Sequence, residues 1–152
     1  MRQLIAAVFL LFAVSVPASE AVSTSRWDTT AIGGHDTVAY HEAVTRKNHQ
    51  QIAGEERFEV QWKGATWRFA SQASADRFAA DPDRYRPEYN GHCANALSLG
   101  EGLISTDGTV WEFFGDQLFL FYAERGRQRW LSGNWQSYKT EADSAWDNLK
   151  MR

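Results

Sequence analysis

A single thiol and four imidazoles are the rarest reactive side chains in this 152-residue chain. The thiol is Cys93, in the run Glu88-Tyr89-Asn90-Gly91-His92-Cys93-Ala94-Asn95-Ala96. If the residues after Gly91 open a helix, Cys93 stands at its start, where free backbone N–H groups and the helix dipole favour negative charge. His92 adds an imidazole, although side chains adjacent in sequence usually point apart. One Cys and one His are half of a tetrahedral metal set. His35, Asp36, His41 or His49 would have to complete a copper or zinc site. Two other readings stay open: Cys93 as a small buried residue packed under the Gly91 turn, and Cys93 as a reactive thiol.

His35, Asp36 and Tyr40 form a second group, an imidazole, a carboxyl and a phenol inside six residues. Such a set can bind a cation or move a proton. The competing reading makes Asp36 a turn cap and Tyr40 a core residue with a satisfied hydroxyl. Tyr40 and Tyr89 are also candidates for lining a ligand pocket near Cys93. His41 and His49 fit solvated positions better than ligating ones. Motifs of established hydrolases, nucleotide binders and zinc proteases are missing: there is no H-E-x-x-H, G-x-S-x-G, P-loop or dinucleotide fingerprint. The side chains therefore favour a binding or accessory module over an enzyme.

These groups need elements to hold them. Arg57-Phe58-Glu59-Val60-Gln61-Trp62 and Thr66-Trp67-Arg68-Phe69 alternate apolar and polar residues around Lys63-Gly64-Ala65, which predicts a hairpin with one buried face. Phe58, Val60, Trp62, Trp67 and Phe69 should point inward. Ser71 then caps a short helix that Pro82 stops. A second hairpin is expected from Val110 to Tyr122 about a Gly115-Asp116 turn, with Leu118 and Leu120 inward. Its Trp111, Phe113, Phe119 and Phe121 fall on mixed faces, so this hairpin is expected to be buried on both sides or to cover an interface. Two helices follow, Arg125 to Leu131 and Asn134 to Leu149, broken at Ser132-Gly133. The stretch from Thr45 to Glu56 is polar and reads as loop.

The halves share one order. Phe69 precedes Phe78 by nine residues and Tyr85 by sixteen, while Phe121 precedes Trp130 by nine and Tyr138 by seventeen. This is the pattern a duplicated hairpin-helix unit would leave, with both halves around a shared interior. The fold class expected is α+β: two β-hairpins in one antiparallel sheet packed with short helices.

Composition narrows the setting. Leu4 to Val16 is an apolar run behind Arg2, ending at Pro17, with small residues at Ala18, Ser19 and Ala21, as in a cleavable signal peptide over residues 1–21. The run is too short to span a bilayer, and no later segment is long and uncharged enough. The mature protein is thus expected to be periplasmic or secreted, with a polar leader over 22–33 and one domain over 34–150. A net charge of −3 without a basic run argues against nucleic acid. One cysteine excludes an internal disulfide. Seven Trp, five Tyr and nine Phe are a heavy load, most of which must be core rather than a sugar-stacking platform.

Several blocks resemble the YHS domain in its exported single-domain form. Gly34-His35-Asp36-Thr37-Val38-Ala39-Tyr40 is similar to that family's G-x-D-P-V-A-Y opening, with Thr37 in place of proline. Trp67-Arg68-Phe69-Ala70-Ser71, Phe78-Ala79-Ala80-Asp81-Pro82-Asp83-Arg84-Tyr85 and Pro87-Glu88-Tyr89-Asn90-Gly91-His92-Cys93-Ala94 resemble its later blocks. Trp130, Tyr138, Ala142, Asp143 and Trp146 fall where its C-terminal pattern expects them. The resemblance implies a binding or accessory role in the envelope, with copper or zinc at Cys93, His92, His35 and Asp36 as one form of it. A small ligand or an envelope protein partner is the other. The family's short form often places two cysteines where this chain has Ala70 and Ser74, so the thiolate pair that selects a soft metal is missing here.

Overall fold

The computed structural model describes residues 21–151, so the expected signal segment, residues 1–20 of it, lies outside the described residues. A 3-10 turn (Ile32–Gly34) leads into α1 (Thr37–Tyr40) and α2 (Ala43–Asn48). The first hairpin pairs β1 (Glu55–Trp62) with β2 (Ala65–Phe69), followed by α3 (Gln72–Ala80) and α4 (Pro82–Tyr85). A second 3-10 turn (Glu88–Gly91) leads into α5 (Ala94–Ser98). The second hairpin then pairs β3 (Val110–Phe114) with β4 (Gln117–Phe121), before α6 (Glu124–Ser132) and α7 (Trp135–Lys150). The α+β class and both hairpins are therefore as the residue pattern predicts. The single sheet expected is not formed: each hairpin is its own two-stranded antiparallel sheet, and the strands of the two do not join.

Local chemistry accounts for the boundaries. Ser71 Oγ accepts a hydrogen bond from Ser74 N–H at 3.1 Å and starts α3. Pro82 occupies the first turn of α4, where a missing N–H is harmless, and Asp81 caps that helix. Asn134 Oδ1 accepts from Ser137 N–H at 3.1 Å and starts α7 after the Gly133 break. The stretch read as loop, Thr45 to Glu56, holds the last four residues of α2, which His49 closes in the left-handed conformation, and the first two of β1. Its polar composition reflects exposure rather than lack of order, since all its residues but Thr45 are at least partly exposed.

Trp67 and Phe69 are buried as expected, with Phe58, Val60 and Trp62 partly buried against the same core. The mixed faces of the second hairpin have a clear cause. Trp111, Leu118 and Leu120 pack into one apolar cluster with Tyr40, Trp67, Phe69 and Phe78. Phe114, Phe119 and Phe121 pack into a second, with Tyr89, Leu97 and Trp130. The hairpin is the wall between two cores, and β4 is buried on both faces. The rings of β4 thus lie inside the chain, and Phe113 of β3 is partly buried. Exposed Tyr122, just past β4, is the exception.

The halves repeat in detail. β2 and α3 recur as β4 and α6, each 52 residues further on. Trp67 and Phe69 meet Phe78 as Phe119 and Phe121 meet Trp130. The segment read as a polar leader also joins the folded unit: Ser23 is fully buried, and its N–H donates to the Asn90 carbonyl while its hydroxyl accepts from Thr106 N–H at 2.8 Å.

Two histidines pack on rings: His49 does so while still exposed to solvent, and His41 is partly buried. His49 stacks on Trp111 at 4.1 Å, and His41 lies edge-on to Tyr85 and Phe113. Burial, with Arg46 and Arg84 nearby, lowers the His41 pKa to about 4 from its ordinary 6.5. The native state then resists a proton that the unfolded chain accepts. Stability should be level above the ordinary value and fall as pH drops through this window. Urea titrations across that range should show a shallower acid loss in His41→Phe than in the parent chain; parallel losses would remove His41 as the cause.

Candidate functional site

Two left-handed backbone turns organise the candidate residues. Ile32, Gly33 and Gly34 have φ of 43°, 63° and 77°, and Tyr89, Asn90 and Gly91 have φ of 57°, 49° and 86°. Ile32, Tyr89 and Asn90 are not glycine, and such angles store strain that the surroundings must hold. Each turn delivers a histidine and then a helix cap. His35 Nδ1 lies 3.4 Å from the Ile32 carbonyl oxygen, and His92 Nδ1 lies 3.0 Å from that of Tyr89.

The caps are Asp36 and Cys93, and they are structural counterparts. Asp36 is fully buried; one carboxyl oxygen accepts from Ala39 N–H at the start of α1 and the other from Ala70 N–H after β2, both at 2.9 Å. Cys93 Sγ accepts from Ala96 N–H at 3.5 Å and from Tyr122 N–H, just after β4, at 3.3 Å. Their own N–H groups donate to the Ile52 and Ile104 carbonyls at 2.8 Å. One sulfur thus takes the two N–H bonds that a carboxyl group takes in the first half. Cys93→Asp should therefore unfold at a higher urea concentration than Cys93→Ala, which leaves two N–H groups without an acceptor at about 1–2 kcal/mol. Equal midpoints would separate the two positions.

Tyr40 and Tyr89 are core residues with satisfied hydroxyls. Tyr40 donates to the Gly108 carbonyl at 2.7 Å and stacks on Trp111; Tyr89 donates to Asp143 Oδ1 at 2.8 Å. Burial is the main cause pushing both phenols upward, so they serve as neutral donors. His92 is buried, its ring packs near Trp146, and burial lowers its pKa.

The four proposed metal ligands do not come together. Among the described residues no three His, Cys, Asp or Glu side chains gather where one ion could be held. Asp36 has both oxygens engaged by backbone N–H groups. The donor set does not fit copper or zinc.

What the tertiary structure adds is a cavity of about 770 Å³ beside Cys93. The cysteine, only 4% exposed, and Ala96 contribute to its wall from the start of α5. Leu99 and Ile104 come from the loop after α5, Tyr122 and Ala123 from the end of β4, and Arg125, Gly126 and Arg129 from α6. Leu99, Ile104 and Tyr122 are 50%, 36% and 69% exposed, so three of the larger apolar side chains left in solvent surround one opening. His92, His35, Asp36, Tyr40 and Tyr89 do not line it. Of the proposed site residues, Cys93 alone does. Arg125 and Arg129, four apart on one helix, were legible in the sequence only as helical composition. The paired signal Gly34-His35-Asp36 and Gly91-His92-Cys93 was present in it as well.

No family model matches the chain, and no curated protein or solved structure matches it. Among the described residues no helix is long and apolar enough to cross a membrane.

Proposed function

We propose that this chain is an exported binding module of the YHS type, which holds a small organic ligand in the cavity over Cys93. The reading rests on one observation: exposed Leu99, Ile104 and Tyr122 converge on an opening whose wall carries a buried thiol. Ligand sites are concave, mostly apolar and furnished with a few polar groups, and this volume lies in their usual range. Apolar side chains scattered singly over a surface need no explanation, but three around one concavity do. The resemblance to YHS domains and the signal-like N-terminus support the envelope setting. The module works by binding, and Cys93 furnishes a polarizable wall and a helix cap.

A titration followed by amide NMR tests this. A short-chain neutral amphiphile, octanamide, should shift the signals of Ala96, Leu99, Ile104, Tyr122 and Gly126 together and leave the Trp67–Phe78 core unmoved. Leu99→Glu combined with Tyr122→Ser, both at exposed positions, should weaken binding at least about tenfold without lowering the unfolding midpoint. Shifts spread over the surface, or binding unaffected by the double substitution, would remove the cavity as the site.

A further inference from the structure

The wall of the cavity is not electrically neutral. Arg125 and Arg129 stand one turn apart on α6 and both line it, whereas Glu101 is the one carboxylate in the lining. This surplus of positive charge occurs in a chain whose net charge is −3.

The two guanidinium groups are held differently. Arg129 Nη1 donates to Asn95 Oδ1 at 2.8 Å and to Ser98 Oγ at 2.9 Å, while its guanidinium carbon lies 3.8 Å from the centre of the Tyr138 ring. Three contacts on two helices, α5 and α7, fix this side chain before any ligand arrives. A guanidinium positioned in advance loses little freedom when it meets an oxyanion. Arg125 is exposed and has no hydrogen bond or ion pair among the described residues. Neighbouring Arg127 is spent on Glu112, to which it donates at 2.7 Å and 3.1 Å, and on Glu124 at 2.5 Å. On this helix the cation left over is one that lines the cavity. Glu101 forms no ion pair with either arginine.

We infer that the ligand is an amphiphilic organic carboxylate, its acid group between Arg125 and Arg129 and its apolar body against Leu99, Ile104 and Tyr122. This deepens the binding reading above and rests on it. Charge complementarity selects the class: a planar carboxylate matches the guanidinium fork, and the apolar rim would reject a fully hydrated anion such as phosphate. Because the cavity is open, the attraction is screened and should weaken with salt.

The test compares octanoate with octanamide on the purified chain by calorimetry at neutral pH. The two probes share an alkyl body and differ in charge. Octanoate should bind about tenfold more tightly. Arg125→Gln, at an exposed and unpaired position, should bring the two within about threefold, and Glu101→Gln should raise the preference for octanoate over octanamide about twofold. Equal affinities in the parent chain, or a preference that survives Arg125→Gln, would overturn the carboxylate assignment while leaving the cavity reading in place. Binding of neither probe would remove both.

Discussion

Replacing Asp36 with alanine is expected to lower the unfolding free energy by about 3–5 kcal/mol. The carboxyl group is fully buried, and each oxygen serves a different backbone segment, Ala39 N–H in α1 and Ala70 N–H at the end of β2. Truncation leaves two donors without acceptors, the Ala39 N–H buried and the Ala70 N–H part-buried, and a buried group of this kind costs about 1–3 kcal/mol. It also removes a tie between the first left-handed turn and the first hairpin. Domains of this size have a total stability of about 5–15 kcal/mol, so a large share would vanish with one side chain. Asp36→Asn should lie between, because its amide can offer one oxygen to one donor but turns an N–H toward the other. Urea unfolding with an unchanged slope reads the difference directly. A loss below about 1 kcal/mol for Asp36→Ala would show that the two bonds carry little weight.

Gly33→Ala should have a comparable effect for a different reason. Gly33 has φ of +63°, and a Cβ there would run into the backbone carbonyl of Asp107. The left-handed conformation alone costs an L-residue about 1–2 kcal/mol. A carbonyl in the backbone cannot rotate away as a side chain can, so the contact must be relieved by moving the loop from Thr106 to Gly108. Overpacking of this kind costs about 1–3 kcal/mol more. Gly64 provides the control. Its φ is +71°, but nothing lies within 4 Å of where a Cβ would stand. Gly64→Ala should therefore show the conformational part alone, and the gap between the two variants measures the collision. Equal losses at both sites would mean that the loop yields freely.

Both predictions fall on the frame that holds Cys93, not on the cavity. Ile32 packs beside Gly91, the Gly108 carbonyl receives the Tyr40 hydroxyl, and Thr106 bonds to Ser23 and to the Gly91 carbonyl. The two strained turns and the loop before β3 are thus one assembly. Its two caps, Asp36 and Cys93, take equivalent pairs of backbone donors, Ala39 and Ala70 in the first half and Ala96 and Tyr122 in the second. The first half closes this arrangement with a carboxyl group in the interior; the second leaves its sulfur beside an opening. The cavity beside Cys93 is a departure from the repeat, and the proposed binding role lies there.

The order of residues by itself determined the parts whose cause is local. Alternation around Lys63-Gly64 and Gly115-Asp116 specifies two hairpins, Ser71 and Asn134 begin helices through their own side chains, and Cys93 at a helix start follows from the residues around it. The recurring spacing of Phe69, Phe78 and Tyr85 also marks the repeat. Where polarity came from exposure, as in α2, a local reading took a helix for loop. Only the tertiary structure decided that β4 is buried on both faces, because its neighbours on each side come from segments distant in the chain. It also decided that His35, Asp36, His92 and Cys93 do not converge on one ion, and that Leu99, Ile104, Tyr122, Arg125 and Arg129 do converge on one cavity. Side-chain type and spacing act within a turn or a strand; convergence depends on how separate elements pack against a common core, and that is set by burial summed over the whole chain.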